Sequence, residues 1–218
     1  MRTPPGVNAA TRIAAGDDRT HYDGFARALH WLTAVLVLTQ FGLAELWGFA
    51  AKPTREVMIE MHMSFGILLT AVLIVRIWWR LMPGHQVRPA DSGWVELASK
   101  AAHYALYGLL ALEVVLGYLF RWSGGEAMSF FGFPIPPPFA RFSKPAHQLI
   151  AGAHNWIAWI IIILAAGHAA AALFHHFVLR DDVLWRMLPG RDARLREVRA
   201  ASPSKAFSPD RFPGKQQV

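Results

Sequence analysis

Residues 152–168 read GAHNWIAWIIIILAAGH. The stretch is apolar on every side of any helix it could form. A soluble helix needs one greasy face, whereas a helix in lipid is greasy all round. Yet His154 and His168 interrupt it, and an ionisable side chain inside a bilayer is costly and usually functional. Fourteen residues separate the two. At 3.6 residues per turn that is close to four full turns, so both imidazoles leave the helix on nearly the same side, about 21 Å apart along its axis.

Three more apolar runs, near 28–50, 57–81 and 101–120, join the one at 148–179. Each reaches the roughly 20 residues needed to cross a hydrocarbon core. The expected fold is all-α: an integral membrane four-helix bundle, up-down-up-down. Lys and Arg set its orientation. Seventeen of the 22 fall before the first span, in the second connection or after the last span, and five (Lys52, Arg55, Arg121, Arg141, Lys144) in the other two connections. That bias predicts both termini in the cytoplasm. It also explains the net charge of +7 without a nucleic-acid partner.

Three segments are expected: a polar, disordered 1–20, a transmembrane domain over 21–189, and a basic, largely disordered tail over 190–218. The first helix is expected to begin between Tyr22 and Phe25, the third near Ala101 and the last near Ala146. The connection RWSGGEAMSFFGFPIPPPFARFSKP, 121–145, reads as a segment lying over the bundle.

Two imidazoles 21 Å apart cannot share one metal, so each needs its own partner at its own depth. His30 lies early in the outward-running first span, on the inner side. His62 lies early in the inward-running second, on the outer side. The pairs His30 with His168 and His62 with His154 follow. Facing imidazoles at two depths suit two haems ligated on both axial sides. The depths of His30 and His168 agree only if the last helix projects beyond the membrane and the first begins near Tyr22. His103, also on the inner side, competes with His30. His147 shares a face with His154 but lies near the outer surface.

The stretches ARALHWLTAVLVL, MHMSFGILLTAVLIVRIWWRL, AHYALYGLLALEVVLGYL, FGFPIPPP and HNWIAWIIIILAAGHAAAALFHHFVLRDDVLWRMLP together resemble the bacterial cytochrome b561 family. The likeness runs from about Tyr22 to Pro189, and its last segment is closest to the superoxide oxidase member. It implies a four-helix, di-haem protein of the bacterial inner membrane. By position, the family's haem ligands fall on His30, His62, His154 and His168. Val114 stands where the family often has proline, and Glu113 adds a carboxyl at about mid-membrane, read as one that burial keeps neutral rather than as a proton-handling group.

With no cysteine in the chain, the two haems are expected to be b-type and noncovalent. With both axial positions filled by His, outer-sphere electron transfer is favoured over oxygen binding. Ubiquinone is the expected lipid-soluble substrate. His175, seven residues past His168, is positioned for a quinone contact and proton transfer. Arg76 and Arg27 are candidates for the haem propionates. The leading expectation is an electron carrier of the quinone pool, either a self-sufficient superoxide:ubiquinone oxidoreductase or an anchor subunit for a separate dehydrogenase or hydrogenase. The second version requires a soluble or periplasmic redox partner. A haem-free transporter or scaffold is the alternative from another class; it predicts no Soret band.

Overall fold

A computed structural model describes residues 23–83, 93–181 and 183–188. Four long helices cross from end to end: α1 (Gly24–Leu46), α2 (Lys52–Leu81), α3 (Gly93–Ser123) and α4 (Lys144–Phe174). All four are long and apolar enough to span a bilayer. The expected segments 1–20 and 190–218 lie outside the described residues.

Local chemistry sets the helix ends. The Asp23 carboxylate accepts the Ala26 N–H at 2.7 Å and caps α1. Its other oxygen accepts the Trp79 indole N–H at 3.0 Å, tying the start of α1 to the end of α2. Proline stands in the first turn of both α2 and α4, where its missing N–H costs nothing. A single 3-10 turn, Trp47–Phe49, joins α1 to α2. The Arg55 guanidinium donates to the carbonyls of Trp47, Gly48 and Ala50 there, satisfying groups that the end of α1 leaves open.

Helix α3 begins eight residues before the expected Ala101. The extension is amphipathic, held by a Glu96–Lys100 pair one turn apart, so an apolar-run criterion stops short of it. Helix α4 passes into a π-helical turn, His175–Leu179, which ends at Arg180 in the left-handed region (φ 55°). The helical rod thus continues well beyond His168, and α1 starts six residues before His30. This is the arrangement that brings those two residues to one depth.

Neighbouring helices pack α1 on α2, α2 on α3, α3 on α4 and α4 on α1. Leu29, Leu36, Leu69 and Val72 fill the α1–α2 seam, and Leu73, Leu110 and Ile161 join α2, α3 and α4. The outer surfaces are bare hydrocarbon: Leu38, Ile74 and Ile163 are each more than 60% exposed. In water such a surface would aggregate; in lipid it is the solvent-facing side.

The α1–α2 turn marks one end of the bundle. At that same end, the long connection forms an antiparallel hairpin of β1 (Met128–Phe130) and β2 (Phe133–Ile135). Its two-residue loop, Phe131–Gly132, has φ of 48° and 89°, the left-handed pair of a type I′ turn. Ser64 on α2 is fully buried beneath it. The Ser64 hydroxyl donates to the Glu60 carbonyl and accepts the Phe131 N–H at 2.9 Å. Ser64→Ala should loosen the hairpin at a cost of about 1 kcal/mol, read as a lower unfolding temperature in detergent and faster proteolysis within 125–140. We call this the hairpin end, and the opposite one, where α1 begins and α4 finishes, the terminal end.

Candidate functional site

At the hairpin end, His62 of α2 faces His154 of α4, with ring centroids 6.3 Å apart and planes 89° apart. The His62 Nδ1–H donates to the Gln40 carbonyl of α1 at 3.1 Å, which leaves Nε2 free. Gly66, one turn along α2, makes room for that arrangement: a Cβ there would stand 2.9 Å from the Gln40 side-chain nitrogen. The His154 ring lies against Gly117 of α3, where a Cβ would approach to 3.4 Å. Oε1 of Glu113, one turn earlier on α3, is 3.0 Å from His154 Nδ1.

At the terminal end, His30 of α1 faces His168 of α4 at 6.4 Å and 68°. His103 of α3 stands closer to His168, at 5.1 Å, and its Nδ1–H donates to the Ser99 carbonyl at 2.6 Å. Arg76 reaches His30 Nδ1 at 3.0 Å. Arg76 and Arg80 both lie over the Tyr107 ring. A hollow opens here among His30, Arg76, Arg80, His103 and Tyr107. Arg27 does not line it; its guanidinium lies near Gly24. Beyond α4 the chain folds back on α1, where the Trp31 indole N–H donates to the Met187 carbonyl at 2.9 Å.

These separations can be tested against an iron. Imidazole nitrogens bind metals at about 2.0–2.1 Å, so two rings on opposite sides of one ion have centroids about 6 Å apart. The His62–His154 and His30–His168 pairs meet that requirement, while the His103–His168 approach is too close. One contact works against ligation. A guanidinium can only donate, so Arg76 makes His30 Nδ1 an acceptor. Binding through His30 Nε2 needs the proton on Nδ1, and Arg76 must then release it. The hollow beside Arg76 and Arg80 is suited to carboxylates that would draw the guanidinium away.

Of the remaining sequence candidates, His147 belongs to neither pair. Its Nδ1 is 2.9 Å from the Ser123 hydroxyl and its ring stacks on Phe120. His175 Nδ1 is 2.5 Å from Asp181 Oδ2. Burial raises the Asp181 pKa, but the His175 hydrogen bond, the Val183 N–H and nearby charge outweigh it and hold the carboxyl below its ordinary value. Gln40, Gly66, Gly117 and Asp181 were not picked out from sequence. Only Asp181 had a local signal, six residues after a histidine at the end of a span.

Four spanning helices that turn imidazoles toward each other inside the bundle define an integral-membrane cytochrome b. The model of the prokaryotic cytochrome b561 family matches residues 21–190, and the chain belongs to that family. It is therefore a multi-pass inner-membrane electron carrier that holds haem b. Among its relatives, cytochrome b561 homolog 2 of Escherichia coli K12 is 38% identical over 77% of this chain and 90% of its own. Cytochrome b561 homolog 1 of the same organism is 32% identical over 75% and 94%. A probable superoxide oxidase CybB of Yersinia pestis is 30% identical over 74% and 92%.

Proposed function

We propose that the chain holds two haems b noncovalently, one between His62 and His154 and one between His30 and His168, and exchanges electrons with the quinone pool. The observation that carries this reading is the pair of ring separations, 6.3 and 6.4 Å, at two depths of one helix. His62 with His154 and His30 with His168 would hold the two groups, which would supply one-electron transfer. The protein's own part is to hold the rings, keep water from the hairpin-end pair and manage protons at the terminal end.

The terminal end is the cytoplasmic one on the positive-inside rule. A quinone takes two protons with its two electrons, and His175 is the residue equipped to pass one. Its Nδ1–H donates to Asp181, which leaves Nε2 as the basic nitrogen. The π-helical turn that begins at His175 is a feature often found at functional sites. Arg76 and Arg80 are the propionate candidates that the hollow favours.

Superoxide is the proposed donor: two superoxide ions and one quinone, with two protons, give two dioxygen molecules and a quinol. Likeness to a probable superoxide oxidase supports it. Electrostatic attraction adds little. Arg121 is paired with Glu126, and Arg55 caps the α1–α2 turn. What remains is the exposed Lys52 and a hollow lined by Arg141, Lys144 and His147.

The test is the purified full chain in detergent, oxidised, then mixed with ubiquinol or with a superoxide generator. Reduced haem bands are expected with both. Reduction by neither ends the quinone reading, and reduction by ubiquinol alone ends the superoxide one. His175→Ala should slow reduction by ubiquinol about tenfold or more while haem content and reduction by superoxide stay the same.

A further inference from the structure

We infer that Glu113 is a positioning residue for the His154 imidazole, and that its carboxylate holds the hairpin-end centre at a lower potential than the terminal-end centre. This rests on the two-haem reading above. The two rings at the hairpin end differ in what stands behind them. His62 gives its Nδ1–H to a neutral backbone carbonyl. His154 has a carboxylate oxygen 3.0 Å from its Nδ1. The two side chains are 21% and 14% exposed, each ten residues from the hairpin-side end of its helix.

Two orphaned atoms make the case. His154 Nδ1 and Glu113 Oε2 are both buried without a hydrogen-bond partner. The 3.0 Å contact is close enough for a hydrogen bond but is not aligned as one. A ring bonded to a metal through Nε2 carries its proton on Nδ1 and needs an acceptor there. Among the described residues, the Glu113 carboxylate is the group in reach. Gly117, having no side chain, leaves the ring room to turn toward that carboxylate. A buried carboxyl is otherwise expensive to ionise, which is why the sequence suggested a neutral one; behind an imidazole that carries its proton on Nδ1 the ionised form has a use as the acceptor.

The electrostatic consequence follows from sign. A negative group behind a ligand favours the oxidised, more positive centre, and positive groups favour the reduced one. The hairpin end has Glu113. At the terminal end the charged groups that line the hollow beside His30 are Arg76 and Arg80. Electrons therefore run downhill from the hairpin end to the terminal end.

The test is a redox titration of the purified holoprotein. His154→Ala, which retains only the terminal-end haem, assigns the two midpoints. Glu113→Gln should keep two haems and raise the hairpin-end midpoint by the equivalent of tenfold or more in the equilibrium constant, 59 mV for one electron. The other midpoint should stay in place, and Glu113→Asp should restore part of the shift. Glu113→Leu, similar in bulk, serves if the Gln variant does not assemble. Two haems with unmoved midpoints, or a shift confined to the terminal end, overturns this inference alone. A native protein with fewer than two haems overturns the reading beneath it as well.

Discussion

Replacing His154 with alanine should reduce the haem content from two per chain to one, and replacing His168 should remove the other. The variants should differ in what survives: His154→Ala keeps the terminal-end centre and His168→Ala the hairpin-end centre. The double variant should show no Soret band. On the two-haem reading the expectation is all-or-none, because each group would be held by two histidines with nothing covalent at its edge, the chain having no cysteine. His103→Ala should keep both haems, since its ring is too close to His168 to stand across an iron from it. Pyridine-haemochrome quantitation of the purified variants decides the matter. Two haems in His30→Ala with one in His103→Ala would reverse the assignment at the terminal end.

Gly117→Leu should empty the hairpin-end centre although all four histidines remain. The argument is graded. A Cβ at 117 meets His154 Cε1 at 3.4 Å, the edge of ordinary contact, so Gly117→Ala should be tolerated with two haems retained. Leucine adds three more carbons in the direction of the ring. Packed interiors accept extra volume only by moving side chains off their rotamers, at about 1–3 kcal/mol, and here the side chain displaced is the proposed ligand His154. Haem content near one per chain for Leu and near two for Ala is the expected outcome. Equal content in both would mean that α3 yields more readily than the ring.

The paired histidines could be reached from sequence because two simple rules constrain them. Helical pitch fixes which way a side chain points, and hydropathy fixes its depth. His154 and His168 needed only the first rule, and their pairing with His62 and His30 the second. Glu113 was visible as an anomaly, but its contact with His154 was not, since rotation of α3 about its own axis is set by tertiary packing of Leu110 and its neighbours. The hairpin was read as a covering segment and no more. Its strands have three residues each, too short for a period to register, and a phenylalanine occupies a left-handed position that sequence would assign to glycine or asparagine. Arg27 was named with Arg76 for the propionates because both sit at the inner helix ends; the hollow beside His30 is lined by Arg76 and Arg80 and not by Arg27, a matter of tertiary packing that sequence does not reach.

Helix α4 supplies one imidazole to each pair, without a break between Lys144 and Phe174. Apart from the packed Ile161 and Trp159, the stretch 155–167 is therefore freer in composition than in length. One inserted residue would turn His168 by about 100° relative to His154 and carry it about 1.5 Å along, breaking one couple while sparing the other. Descendants of this chain can drift from isoleucine to leucine to valine there; a gain or loss of a single codon cannot be absorbed.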